Sequence, residues 1–265
     1  MTQAAEDGET GTWRKGEFVL WSDALVPVLA SLVWLALVVI AAAIAVPVLQ
    51  RNGFTRLTFG DLAALVRKPV AQQLLTISSD LVLLFFVWRI ARRVADNSLV
   101  ARFRAVRRPV LVLALLGGVA LAIGTLAGSG YLIEHDLIQF RPAPGDQSLA
   151  PGPLYQYVVA FLTIGVVAPF VEEYYFRGIL LSWLGRKITW IPAALVSACV
   201  FALLHFRFSS HPGAVGWLLT GIIAVVGIVN AALAIGTRSL WPPVLFHAGY
   251  NSTLLASAVA AVWLH

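Results

Sequence analysis

The chain has 265 residues, 59% hydrophobic and only 12% charged, with a mean hydropathy of +0.84. A soluble domain carries about 25% charged residues and turns part of its surface to water, so this composition excludes a water-soluble fold. It predicts an all-α, polytopic transmembrane helical bundle. The 19 basic residues against 13 acidic ones, net +6, sit mostly between apolar runs and read as topology signals, not as a nucleic-acid surface.

In chain order, residues 1–23 form a predicted N-terminal cytoplasmic segment. Met1 to Glu17 lack the basic start and prompt apolar core of a cleaved signal peptide, so the first span is its own insertion signal. A span needs about 20 mostly apolar residues. Seven runs qualify: Ala24–Leu49, Ala71–Ile90 with Asp80 at its middle, Val110–Leu126, Leu154–Val171 continuing as helix to Leu184, Ile191–Phe206, Ala214–Ile235 and Leu240–Leu264. Pro169 predicts a kink in the fourth. Gly117, Gly118 and Gly124 in the third allow close helix contact. Thr55 to Val70, broken by Asp61, Arg67 and Lys68, reads as an interfacial helix. The chain divides into the N-terminal segment, three spans over 24–127, a polar loop over 128–153 containing Pro142, Pro144 and Pro151, and a four-span core over 154–265. The lone Cys199 permits neither an intrachain disulfide nor a multi-cysteine metal site.

Seven basic residues between Arg89 and Arg108 place that loop in the cytoplasm. Glu134, Asp136 and Asp146 against Arg141 place the next loop outside, and Arg186 and Lys187 lie inside again. The N-terminus is then cytoplasmic. Arg51, Arg56, Arg67 and Lys68 oppose the scheme, unless the interfacial helix holds them against lipid head groups.

A charge at mid-membrane costs about 2.5–3.5 kcal/mol even on the mildest scale, so such residues are paired, solvated or functional. Three clusters stand out. In Val171-Glu172-Glu173-Tyr174-Tyr175-Phe176-Arg177-Gly178, Glu173 and Arg177 share a helix face and form an ion pair, while Glu172 is rotated about 100° away and lacks that partner. Phe201-Ala202-Leu203-Leu204-His205 brings a histidine to the depth of Glu172 on the neighbouring helix. His247 and Asn251 share one face after Trp241-Pro242-Pro243. Asp80 lies near the cavity or pairs with an arginine; Asn230 and Thr220 bond to backbone or neighbouring helices.

Glu, two His and Asn inside a bundle suit peptide hydrolysis. Glu172 is the candidate base, with His205 placing the water and His247 and Asn251 donating to the oxyanion. Zinc held by Glu172, His205 and His247 is the other way to activate water, and the residues alone leave it open. His247 lies about nine residues from the turn before its span, against about 16 and 17 for Glu172 and His205, and this mismatch of ~10 Å favours water activated without an obligatory metal.

The three runs Glu172-Glu173-x-x-x-Arg177-Gly178, Phe201-x-x-x-His205 and His247-x-x-x-Asn251 resemble the motifs of the CAAX-protease and bacteriocin-processing family, also called Abi, at the core of its type II CAAX prenyl endopeptidases. The resemblance covers about Leu154 to Leu255. It implies cleavage inside the membrane, with Glu172 and His205 at the water and His247 and Asn251 at the oxyanion. It makes Glu173 and Arg177 supports, with Glu173 often counted in the active site itself, and Phe201 is a further supporting residue. Family members are usually classed as metalloproteases, and a glutamate mechanism without metal is also proposed for them.

The expected partners are membrane lipid and a peptide or protein substrate at the membrane, prenylated or not, with no nucleic acid. The Ala/Val/Arg-rich composition suggests a bacterial cell membrane. The alternatives are a non-catalytic immunity or scaffold protein of the same family and a proton-coupled transporter. The lack of inverted repeats disfavours the transporter.

Overall fold

The computed structural model describes residues 19–52, 58, 60–61, 64, 68–94, 99–138, 153–205 and 213–264. It is a helical bundle with no strand among the described residues. Those residues form seven helices in order: α1 Trp21–Arg51, α2 Pro69–Arg93, α3 Arg108–Glu134, α4 Leu154–Lys187, α5 Trp190–Leu204, α6 Ala214–Thr237 and α7 Trp241–Leu264. Of these, α1, α2, α3, α4 and α6 are long and apolar enough to cross a membrane, and α5 is a shorter apolar helix. In α7 the run His247 to Thr253 dilutes the apolar character. Most of the interfacial segment, much of the polar loop, and His211, His265 and Trp13 lie outside the described residues.

Three boundaries differ from the sequence expectation. α3 runs on to Glu134, where a loop from Gly128 was expected, because Tyr131-Leu132-Ile133 continue its apolar run. α4 runs to Lys187. α5 stops at Leu204, so His205 is its C-cap and not a residue within the span.

α4 is the axis of the bundle. It packs against α1, α2, α5, α6 and α7, while α1 packs along α2, α3 along α7, and α5 along α6. The most apolar stretch of α4 is 44% buried, against 6% for α1, whose leucines and valines face outward as lipid-facing side chains would. Where α3 crosses α7, two glycines let the backbones touch. A Cβ on Gly118 would lie 2.0 Å from the Phe246 carbonyl oxygen, and one on Gly249 would lie 2.7 Å from that of Leu115.

In place of a simple proline kink, α4 carries two π-helical segments, Phe161–Val167 and Tyr174–Leu180, around Ala168–Glu173. The first follows from Pro169. The Ala168 N–H bonds back five residues to the Thr163 carbonyl. The next donor in that register would be residue 169, and proline has none. The Ile164 carbonyl is thereby released, and the side chain of Asn251 takes it, Nδ2 to O 2.9 Å. Gly165 lies beside this contact, its would-be Cβ only 2.8 Å from Ser252 Oγ, so α7 lies close against α4.

The segment 99–107 closes one end of the bundle. Leu240 N–H donates to the Arg102 carbonyl at 2.8 Å and Ser239 Oγ to the Arg104 carbonyl at 2.7 Å. The Arg102 guanidinium donates to the Ala91 and Val94 carbonyls, and Val100 N–H to Ser182 Oγ at 2.7 Å. The α2–α3 and α6–α7 connections and the last turns of α4 therefore lie together at one end of the bundle.

Candidate active site

Glu172 and Glu173 leave α4 on different faces, and their surroundings differ accordingly. Glu173 is fully buried, and three side chains converge on it. Its Oε1 accepts from Asn230 Nδ2 of α6 at 2.8 Å and from His247 Nδ1 of α7 at 2.9 Å, and its Oε2 lies 3.1 Å from Arg177 Nε. Arg177, also fully buried, donates from Nη2 to the Gly227 carbonyl at 2.9 Å and lies over the Phe201 ring at 4.8 Å. Burying two opposite charges side by side is tolerable only with such a complement of partners.

Glu172 keeps 17% of its side chain open and faces the two histidines. Its Oε1 lies 3.6 Å from His205 Nε2 and its Oε2 lies 3.8 Å from His247 Nε2. Both rings are turned by their other nitrogen. His205 Nδ1 lies 2.7 Å from the Phe201 carbonyl, which can only accept, so that nitrogen carries the proton. His247 Nδ1–H goes likewise to the Glu173 carboxylate. Phe201 sits between, its ring centroid 4.5 Å from His205 and 5.6 Å from His247. The Nε2 atoms of both rings are left pointing at Glu172.

The structure thus joins Glu172, Glu173, Arg177, Phe201, His205 and His247. Asn251 is on the same face of α7 as His247, one turn on, and one of its two N–H groups is committed to Ile164. Asn230 is a site residue that sequence reasoning treats only as a general helix-bonding amide. An uncharged polar residue in an apolar run carries no mark of its partner, and its only signal is its rarity there. Asp80 of α2 is buried and within electrostatic reach of Glu172 and His205.

Two histidines and a glutamate are donors of the kind a zinc site uses. Among the described residues, however, no group of three His, Cys, Asp or Glu side chains is arranged to hold a metal ion. An apolar groove of about 470 Å³, lined by Leu81, Leu84, Phe85, Trp88, Phe170 and Tyr174 among others, lies elsewhere. Phe170 and Tyr174 are each two residues from Glu172, which turns them some ~160–200° away around the helix.

Residues 154–253 match the family model described as type II CAAX prenyl endopeptidase, Rce1-like. No curated protein and no solved structure matches the chain.

Proposed function

We propose, from the premise that the chain belongs through residues 154–253 to the family of Rce1-like type II CAAX prenyl endopeptidases, that it is an active intramembrane endopeptidase with Glu172 as its base. The observation that carries this reading is the aim of both Nε2 atoms, from His205 and His247, at the two oxygens of the Glu172 carboxylate. The opening at Glu172 admits a water that can bond to Glu172 and His205 together.

Glu172 takes a proton from that water as its oxygen attacks the carbonyl carbon of the scissile peptide. The resulting oxyanion is met by His247. Because Nδ1–H is given to Glu173, Nε2 donates only from the doubly protonated ring, and the carboxylates on both sides supply its counter-charge. Asn251 adds the N–H that Ile164 does not use. When the C–N bond breaks, Glu172 returns its proton to the leaving amine, so acid, base and charge balance within the site. Glu173, Asn230 and Arg177 hold His247 in place and touch no reacting atom.

No step of this mechanism requires a metal ion. The substrate is a membrane-associated peptide or protein, prenylated or not. The chain resides in a bacterial cell membrane with its N-terminus in the cytoplasm, a topology supported by the shared side of the basic 99–107 segment and the end of α4. The test is cleavage of a peptide library, including prenylated members, by the protein in liposomes. Cleavage by the wild type and none by Glu172→Ala supports the reading, and equal cleavage by both overturns it.

A further inference from the structure

A hydrolase buried in lipid must be supplied with water, and the first half of the chain holds polar atoms that the mechanism does not use. On α2, Gln73 Oε1 and Asp80 Oδ2 are both buried and have no hydrogen-bond partner, and each residue is more than nine-tenths enclosed. They are seven residues apart and so lie on one face. That face is ~160° around the helix from Ser78, whose Oγ accepts from Trp34 Nε1 of α1, and α1 also reaches the Ser79 backbone carbonyl through Ser31 Oγ. It turns toward α4, along which α2 packs from Leu154–Ala160 through Tyr174–Leu180. That length of α4 carries its own buried polar residues, Gln156 and Thr163. At the inner end, Asp80 is in electrostatic reach of Glu172 and His205. The neighbours Leu74 and Leu81 are exposed on the outside of the bundle.

An acceptor enclosed without a partner is costly, most of all where no bulk water is at hand, and a row of them is satisfied by ordered water with two to four polar contacts each. We propose that the seam between α2 and α4, marked by Gln73 and Asp80, is a hydrated passage that delivers water to Glu172. This rests on Glu172 being the base. It also gives α2, which lies outside the matched residues 154–253, a role in the chemistry.

Cysteine accessibility tests it. Cys199 is the only cysteine and is replaced by Ala, and single cysteines are introduced as Gln73→Cys, Asp80→Cys, Leu74→Cys and Leu81→Cys in the full chain. In liposomes, a charged methanethiosulfonate reagent should react at positions 73 and 80 at least about tenfold faster than at 74 and 81, because thiolates form only where water reaches. Equal rates overturn the passage, and reaction at 73 alone overturns its extension to Asp80. If Asp80→Cys does not fold, Ile77→Cys, one turn away on the same side of the helix, takes its place under the same criteria. Labelling needs no turnover, so its failure leaves the protease reading standing, whereas failure of that reading shows only in the comparison of wild type with Glu172→Ala.

Discussion

Glu173 and His247 are 74 residues apart in the chain, and the imidazole Nδ1–H donates to the carboxylate at 2.9 Å. The same Glu173 oxygen also accepts from Asn230, so α4, α6 and α7 are tied at one point. The two donors flank the α6–α7 turn, about nine residues before Ser239 and eight after it, or ~12–14 Å of helix on each side. Glu173 lies some 14 residues from the end of α4, or ~21 Å. The three meet because the α6–α7 turn is sunk ~8 Å deeper than the α4–α5 turn. The segment 99–107 covers it there, with Ser239 and Leu240 fully buried.

The two adjacent glutamates should separate in their effects. Glu173→Gln strands the buried Arg177 guanidinium without its counter-charge and loosens His247. Breaking one partner of a buried pair costs about 3–5 kcal/mol, so the melting temperature in detergent should fall sharply. Glu172→Gln should abolish cleavage while the melting temperature stays within a few degrees of wild type. Equal melting of the two variants would contradict the division between support and chemistry.

Asn251 has two duties in this account, and its removal should register in both. Asn251→Ala leaves the Ile164 carbonyl without a donor, a loss of about 1–3 kcal/mol in thermal unfolding. It also removes an oxyanion donor, and kcat should fall roughly 10²–10³-fold with KM little changed. A variant that is less stable but turns over at the wild-type rate would reduce Asn251 to a structural role.

The crossing of α3 and α7 is a sensitive point, one residue from His247. Gly118→Ala would put a methyl against the Phe246 carbonyl, one residue before His247, and must push α7 outward. Lower thermal stability and at least about a tenfold loss of cleavage are expected, since shifts of ~1 Å in reacting groups cost up to 10²-fold. Gly124→Ala, with open space around it, serves as the neutral control.

The helical membrane class and the resemblance of residues 154–253 to the matched family are legible in the sequence because lipid makes charge rare. Glu172, Glu173, Arg177, His205 and His247 stand out in apolar runs without any alignment. The pairing of Glu173 with Arg177 follows from their spacing alone. Counting residues from a turn sets His247 ~10 Å too shallow, because the count assumes that the turn lies at the membrane surface. The π-helical segments are hidden for a related reason. Pro169 announces a disturbed helix, but the partner that stabilises the freed carbonyl, Asn251, comes from a helix some 80 residues later. Asn230 is visible in the sequence but has no place there, since an amide bonds equally to carboxylate, carbonyl or water.

Metal dependence offers a separate check. Active protein passed over a chelating resin should hold far less than one zinc per chain and cleave at the same rate in 1,10-phenanthroline as without it. Loss of cleavage to the chelator, restored by zinc near one ion per chain, would turn Glu172, His205 and His247 into ligands.

The most direct measurement is the single-turnover rate of cleavage of one identified substrate by wild type and Glu172→Gln, in liposomes at matched protein folding. Loss of an essential base should lower that rate by at least roughly 10²–10⁴-fold, with substrate binding unchanged. A Glu172→Gln enzyme that cleaves within a few-fold of wild type would contradict the account.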